Sequence, residues 1–198
     1  MASRPHPAPL RDPADSRSHE RIRLEAELKT ALLRDEITIV FQPKIDCTSL
    51  KVVGAEVLAR WNHPERGRVR PDLFIPAAEE GRQIVAIGEW VLHDACEQLA
   101  RLVKNGGHRV RVAVNVSPAQ FKDPAFVDRV GHALEASGLP ARRLELEVTE
   151  SIVLEESART MQQGGGIGID FSPLRPRGMP ARRTGNIATG PVSFMRIW

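Results

Sequence analysis

With 198 residues, 41% of them hydrophobic and 27% charged, the chain has the makings of one globular core but not of two full domains. No apolar run approaches the ~20 residues that span a bilayer, and Met1 to Ser18 lacks the apolar region of a secretory signal. The net charge of +3 sits in the wrong place for a nucleic-acid face. From Gly164 onward five Arg and one Asp give +4 on a Pro/Gly-rich stretch, and the remainder sums to −1.

Cys47 and Cys96 are 49 positions apart, outside metal-site or redox spacing. They read as buried thiols in a reducing compartment, and a bacterial, cytoplasmic setting is expected.

In chain order, residues 1–18 carry Pro, Arg and Asp without periodicity and read as disordered. Residues 19–36 read as a connector helix with Leu24, Leu28, Ala31 and Leu32 on one stripe. Ile37 to Ile45 reads as a strand, and Pro43 within it points to an edge position or the strand's end. A turn near Cys47-Thr48-Ser49 leads to a second strand, Lys51 to Asn62. Its Val53, Ala55, Val57, Ala59 and Trp61 share an apolar face, while Glu56 and Arg60 fall on the other.

Pro71 opens a short helix that runs to Glu80, and a longer one follows from about Val85 to Lys104, ended by Asn105-Gly106-Gly107. Val110 to Ser117 alternates as a strand. Asp123-Pro124 reads as an N-cap and N1 pair opening a helix that closes at Gly138. Arg143 to Glu150 is a further strand, Ser151 to Gln163 a helix, and Gly166 to Ile169 the start of another strand. Strands alternating with helices predict βαβ units and a mostly parallel sheet. Because each strand has one apolar and one polar face, a barrel with outer helices fits better than a doubly wound sheet. Its inner face and C-terminal rim would then collect Glu56, Arg60, Asn115, Glu147 and Glu150.

Carboxylates and an amide oxygen meeting at strand ends are hard ligands suited to Mg²⁺ or Mn²⁺, and a neighbouring Arg is a cationic fork for phosphate. Together they suit metal-assisted phosphodiester hydrolysis. The competing reading is a half-exposed antiparallel sheet whose polar face is simply solvated.

Glu56-Val57-Leu58-Ala59-Arg60-Trp61, Val114-Asn115-Val116-Ser117 and Glu147-Val148-Thr149-Glu150 resemble, in order and at family-like spacing, three signatures of the EAL family of cyclic-di-GMP phosphodiesterases. Phe41-Gln42-Pro43 and Phe74-Ile75-Pro76-Ala77-Ala78-Glu79 add to the match, which runs from about Arg21 to Ile169. The resemblance implies a (β/α)₈, TIM-barrel-like fold whose first strand is antiparallel to the others, with cyclic-di-GMP cleaved to the linear dinucleotide pGpG. It implies Glu56, Asn115 and Glu147 as ligands of Mg²⁺ or Mn²⁺, with Glu56 central to catalysis. Arg60 would contact a substrate phosphate, Gln42 would lie near a guanine, and Glu150 would brace the loop beside the metals.

Blander roles stand beside these: Gln42 satisfying backbone groups at a strand end, and Glu150 as a helix-cap acid. His63 reads as structural, and Glu145 as a partner of Arg111. Val57 replaces the name-giving Ala and, being on the apolar face, is expected to affect packing rather than chemistry.

The resemblance predicts a partial EAL domain over residues 37–169, with only the first four to five strands of the barrel. The family continues with two adjacent Asp followed by Phe-Gly, then a Lys and another Glu that serve the metal site. Here the chain reads Asp170-Phe171-Ser172-Pro173, and no Lys occurs after Lys122. Residues 170–198 read as an irregular Arg/Pro/Gly-rich tail, suggesting a frameshifted or truncated reading frame. Three functions follow as expectations: a phosphodiesterase domain weakened by its missing half, a non-catalytic module binding cyclic-di-GMP or a signalling partner (a homodimer included), or a fragment without function.

Overall fold

The computed structural model describes residues 13–106 and 110–149, together with the backbone of 192–196. Helix α1, Pro13–Ala31, is followed by strands β1 (Ile37–Ile45), β2 (Val52–His63) and β3 (Gly67–Val69). Helices α2 (Pro71–Glu80) and α3 (Ile84–Lys104) then lead to β4, Val112–Asn115. Helices α4 (Pro118–Phe121) and α5 (Phe126–Ser137) precede β5, Leu144–Thr149, and β6 spans Val192–Arg196. The strands form one sheet in the order β1-β2-β4-β5-β6, with β3 paired to β2 off this path. β1 lies antiparallel to β2, and β2, β4 and β5 run parallel. Among the described residues this sheet forms part of a barrel wall and does not close.

Period-2 alternation decides which way the wall faces. Val57, Trp61, Val112, Val114, Leu144, Leu146 and Val148 are buried on one side. Against that side α3 sets Ile84, Ile87, Val91, Leu92, Ala95 and Leu99, which fall on one helical stripe. Val57 is core, at 3% exposure, as its place on the apolar face requires. The polar side chains of the same strands are left for the opposite face.

Helix α1 buries Leu24, Leu28 and Ala31 against the domain and is pinned by charge. Glu27 pairs with Arg66 at 3.1 Å and stands 3.5 Å from His63 Nε2. His63 Nδ1 accepts the backbone N–H groups of Glu65 and Arg66, both at 3.2 Å, so it shapes the turn before β3 and is structural. Below it, Trp61 Nε1 donates to the buried Glu36 carboxylate at 2.9 Å.

Several expectations change. The helix starts at Pro13, inside the segment read as disordered, and residues 1–12 lie outside the described residues. The α5 N-cap is Ala125, not Asp123: the Asp123 side chain accepts the Ala125 N–H at 2.9 Å and holds the turn before the helix. A capping box lies upstream instead, where Ser117 and Gln120 exchange side-chain and backbone bonds across α4. Cys47 is exposed, in the turn after β1, because that turn is held by Asp46 accepting the Thr48 and Ser49 N–H groups rather than by packing. Val192–Arg196 is a strand, antiparallel to β5, within the stretch read as irregular. The helix expected over 151–163 and the strand over 166–169 fall outside the described residues.

Two outcomes follow. Cys96 is buried and its thiol is pushed up to about 12 by that burial, so the native protein at pH 8 should show one fast-reacting thiol, Cys47, in a DTNB titration. The second should appear only on unfolding; two fast thiols would contradict this packing. Trp61→Phe removes the one hydrogen bond this indole gives Glu36 and should cost ~1–3 kcal/mol in urea unfolding, whereas an unchanged midpoint would show that Glu36 is satisfied otherwise.

Candidate functional site

The register aligns the polar face. Gln42 of β1 lies opposite Glu56 of β2, Glu56 beside Ala113 of β4, and Asn115 of β4 beside Glu147 of β5. Ala113 brings only a methyl to its place between Glu56 and Glu145, which leaves room on that face. Into it Asn115 donates from Nδ2 to Glu56 Oε1 at 2.8 Å. Glu145, one residue pair below Glu147, is held by Arg111 at 3.2 Å, the structural partnership expected from sequence.

Glu147 is the buried acid of the group, at 6% exposure. Burial raises its pKa above the ordinary value; Lys44 opposes this through a hydrogen bond and its charge, and the nearby Glu56 and Glu145 carboxylates add to the rise. Register places Glu56 of β2 and Glu147 of β5 on the same face, with β4 between them. The salt bridge from Lys44 of β1 reaches Glu147 across the face. Alternation alone puts Lys44 on the Gln42 side of β1, but nothing in the residue spacing shows that it reaches Glu147.

Arg60 sits further along β2, its Nη1 donating to the Ala59 carbonyl at 2.9 Å. With Asn115 and Ser117 it borders a cavity of about 370 Å³ between β2, α2 and α3, walled by Leu58, Ile75 and Ile87. Ser117 and Gln120 secure the turn that follows Asn115, and Gln120 fills the space above Gly88 of α3, where a Cβ would meet its side chain at 2.0 Å. The sequence carried this signal as Ser117-Pro118-Ala119-Gln120, a capping-box spacing. Glu150 lies outside the described residues.

Of the candidate residues, then, Gln42, Glu56, Asn115 and Glu147 share one face, and Arg60 borders a cavity at its edge. Among the described residues no three His, Cys, Asp or Glu form a metal cluster. Two carboxylates and an amide still fit a hard cation such as Mg²⁺, which keeps several waters and binds through one or two carboxylates plus substrate phosphate.

Residues 25–171 match the EAL domain model. The chain belongs to the EAL domain family. It is 38% identical over 164 residues to the bifunctional diguanylate cyclase/cyclic di-GMP phosphodiesterase MucR of Pseudomonas aeruginosa, covering 79% of this chain and 24% of MucR. It is 39% identical over 145 residues to the cyclic di-GMP phosphodiesterase NbdA of the same species, covering 73% of this chain and 18% of NbdA.

Among solved structures, the PaMucR phosphodiesterase in complex with c-di-GMP matches with a TM-score of 0.67 and 37% identity, over 71% of this chain and 57% of that one. The FimX EAL domain of Xanthomonas citri in complex with c-di-GMP matches at 0.61 and 26%, over 76% and 57%. The chain thus spans about half of a solved EAL chain and under a quarter of these curated relatives, consistent with an incomplete barrel.

Residues 147–198 also match the model of the ribonucleotide reductase barrel domain.

The burial of Glu147 gives a pH signature. Its folded pKa lies above the ordinary 4.5, so the native state holds this proton more tightly than the unfolded chain. The group's contribution to stability is therefore intact below that ordinary value and declines as pH rises through the folded one. Without divalent cations, the urea midpoint of the wild type should fall relative to Glu147→Gln across this window. A difference that is flat or grows in favour of the wild type would contradict it.

Proposed function

We propose that this EAL chain carries the first half of a metal-dependent cyclic-di-GMP phosphodiesterase site. The observation that supports it most is the meeting of Glu56, Asn115 and Glu147 from three adjacent strands on one face. Glu56, Asn115 and Glu147 would hold Mg²⁺ or Mn²⁺, which when bound supplies Lewis-acid polarisation of a phosphodiester and a more acidic water.

The chain's own residues do the rest of the positioning. Arg60, at the mouth of its cavity, can swing from the Ala59 carbonyl to take a phosphate oxygen through its planar fork. Gln42, exposed at the β1 edge opposite Glu56, offers an amide donor and acceptor to a guanine edge. Leu58, Ile75 and Ile87 give the cavity beside Arg60 an apolar wall. The product would be the linear dinucleotide, in a cytoplasmic signalling setting. Glu150 keeps its proposed bracing role beside the metals.

Slow turnover is expected of this chain. Where the family pattern has two adjacent Asp, the sequence reads Ile169-Asp170-Phe171, and losing even an outer partner of a metal site costs ~10–100-fold. A second reading, a module that binds cyclic-di-GMP or a partner without cleaving it, is favoured by the same replacement of the Asp pair.

Purified protein incubated with cyclic-di-GMP and Mn²⁺, with products resolved by chromatography, tests both. Slow release of linear product that vanishes in Glu56→Ala is the expected result. Binding without product would support the second reading, and neither binding nor product would overturn the proposal.

A further inference from the structure

Lys44 belongs to β1 and Glu147 to β5, with β2 and β4 between them along the sheet path. Neighbouring strands lie about 4.8 Å apart, so in a flat sheet β1 and β5 would stand ~14 Å from each other. Their side chains touch because the wall curls, and the contact spans the hollow into which Glu56 and Asn115 also point. Lys44 is half-buried, and Glu147 is buried. A buried anion beside a second carboxylate needs a counter-charge, and here one is brought by a flexible arm from the opposite side of the cup.

We infer that Lys44 is a resident counter-charge for Glu147 that competes with the divalent cation: the ammonium holds this carboxylate while the site is empty and yields it when metal enters. This rests on the metal reading proposed above. Lys44 acts through Glu147 and is a positioning residue.

The test uses the full chain. Isothermal titration with Mn²⁺ should show Lys44→Met binding about tenfold more tightly than the wild type, with Lys44→Arg, which keeps the charge, staying near the wild type. In the wild type alone, Mn²⁺ should raise the reactivity of Lys44 toward an acetylating reagent several-fold, read by mass spectrometry; this arm does not depend on any variant folding. Equal Mn²⁺ affinity in wild type and Lys44→Met, or Lys44 reactivity unmoved by Mn²⁺ that does bind, would overturn the competition and leave the metal reading standing. No Mn²⁺ binding by either protein would overturn the metal reading, and the competition with it.

Discussion

A carboxylate with 6% of its surface exposed, set beside other carboxylates, cannot be left without positive charge. Desolvation alone would drive it to hold its proton, and nearby acids push the same way. Glu147 meets this constraint with Lys44, and the wall must curl for the two to touch. The electrostatic need of one buried acid and the curvature of the sheet are thus parts of the same arrangement.

Much of this could be read from residues alone because strands alternate. Once β2 was placed, Trp61 and Val57 had to lie on one side and Glu56 and Arg60 on the other, and α3 supplied a matching apolar stripe. Pro43 marked β1 as an edge strand, where it lies. What alternation cannot provide is reach across the sheet. The Lys44–Glu147 contact depends on curvature, a property of the whole wall, so the sequence showed Lys44 on the correct face without showing what it touches. Local signals also competed: Asp123-Pro124 resembles a helix start more strongly than Ser117-Pro118, yet Ser117 with Gln120 makes the capping box and Asp123 only the turn.

The C-terminal portion joins two resemblances. The EAL match ends at residue 171, and the ribonucleotide reductase barrel match covers 147–198. Strand β6, from within the second, pairs antiparallel with β5 from Glu145↔Arg196 to Thr149↔Val192. A bare β5 edge would offer unpaired backbone groups to other chains, and β6 covers it. Backbone pairing does not depend on side-chain identity, so a strand distant in sequence can continue this sheet.

The most direct measurement is anomalous diffraction from crystals soaked in Mn²⁺. The account predicts one strong manganese peak bounded by Glu56, Asn115 and Glu147 at ~2.0–2.6 Å from their oxygens, with the Lys44 ammonium withdrawn from Glu147. A peak elsewhere, or these three side chains unable to reach a common ion, would contradict it.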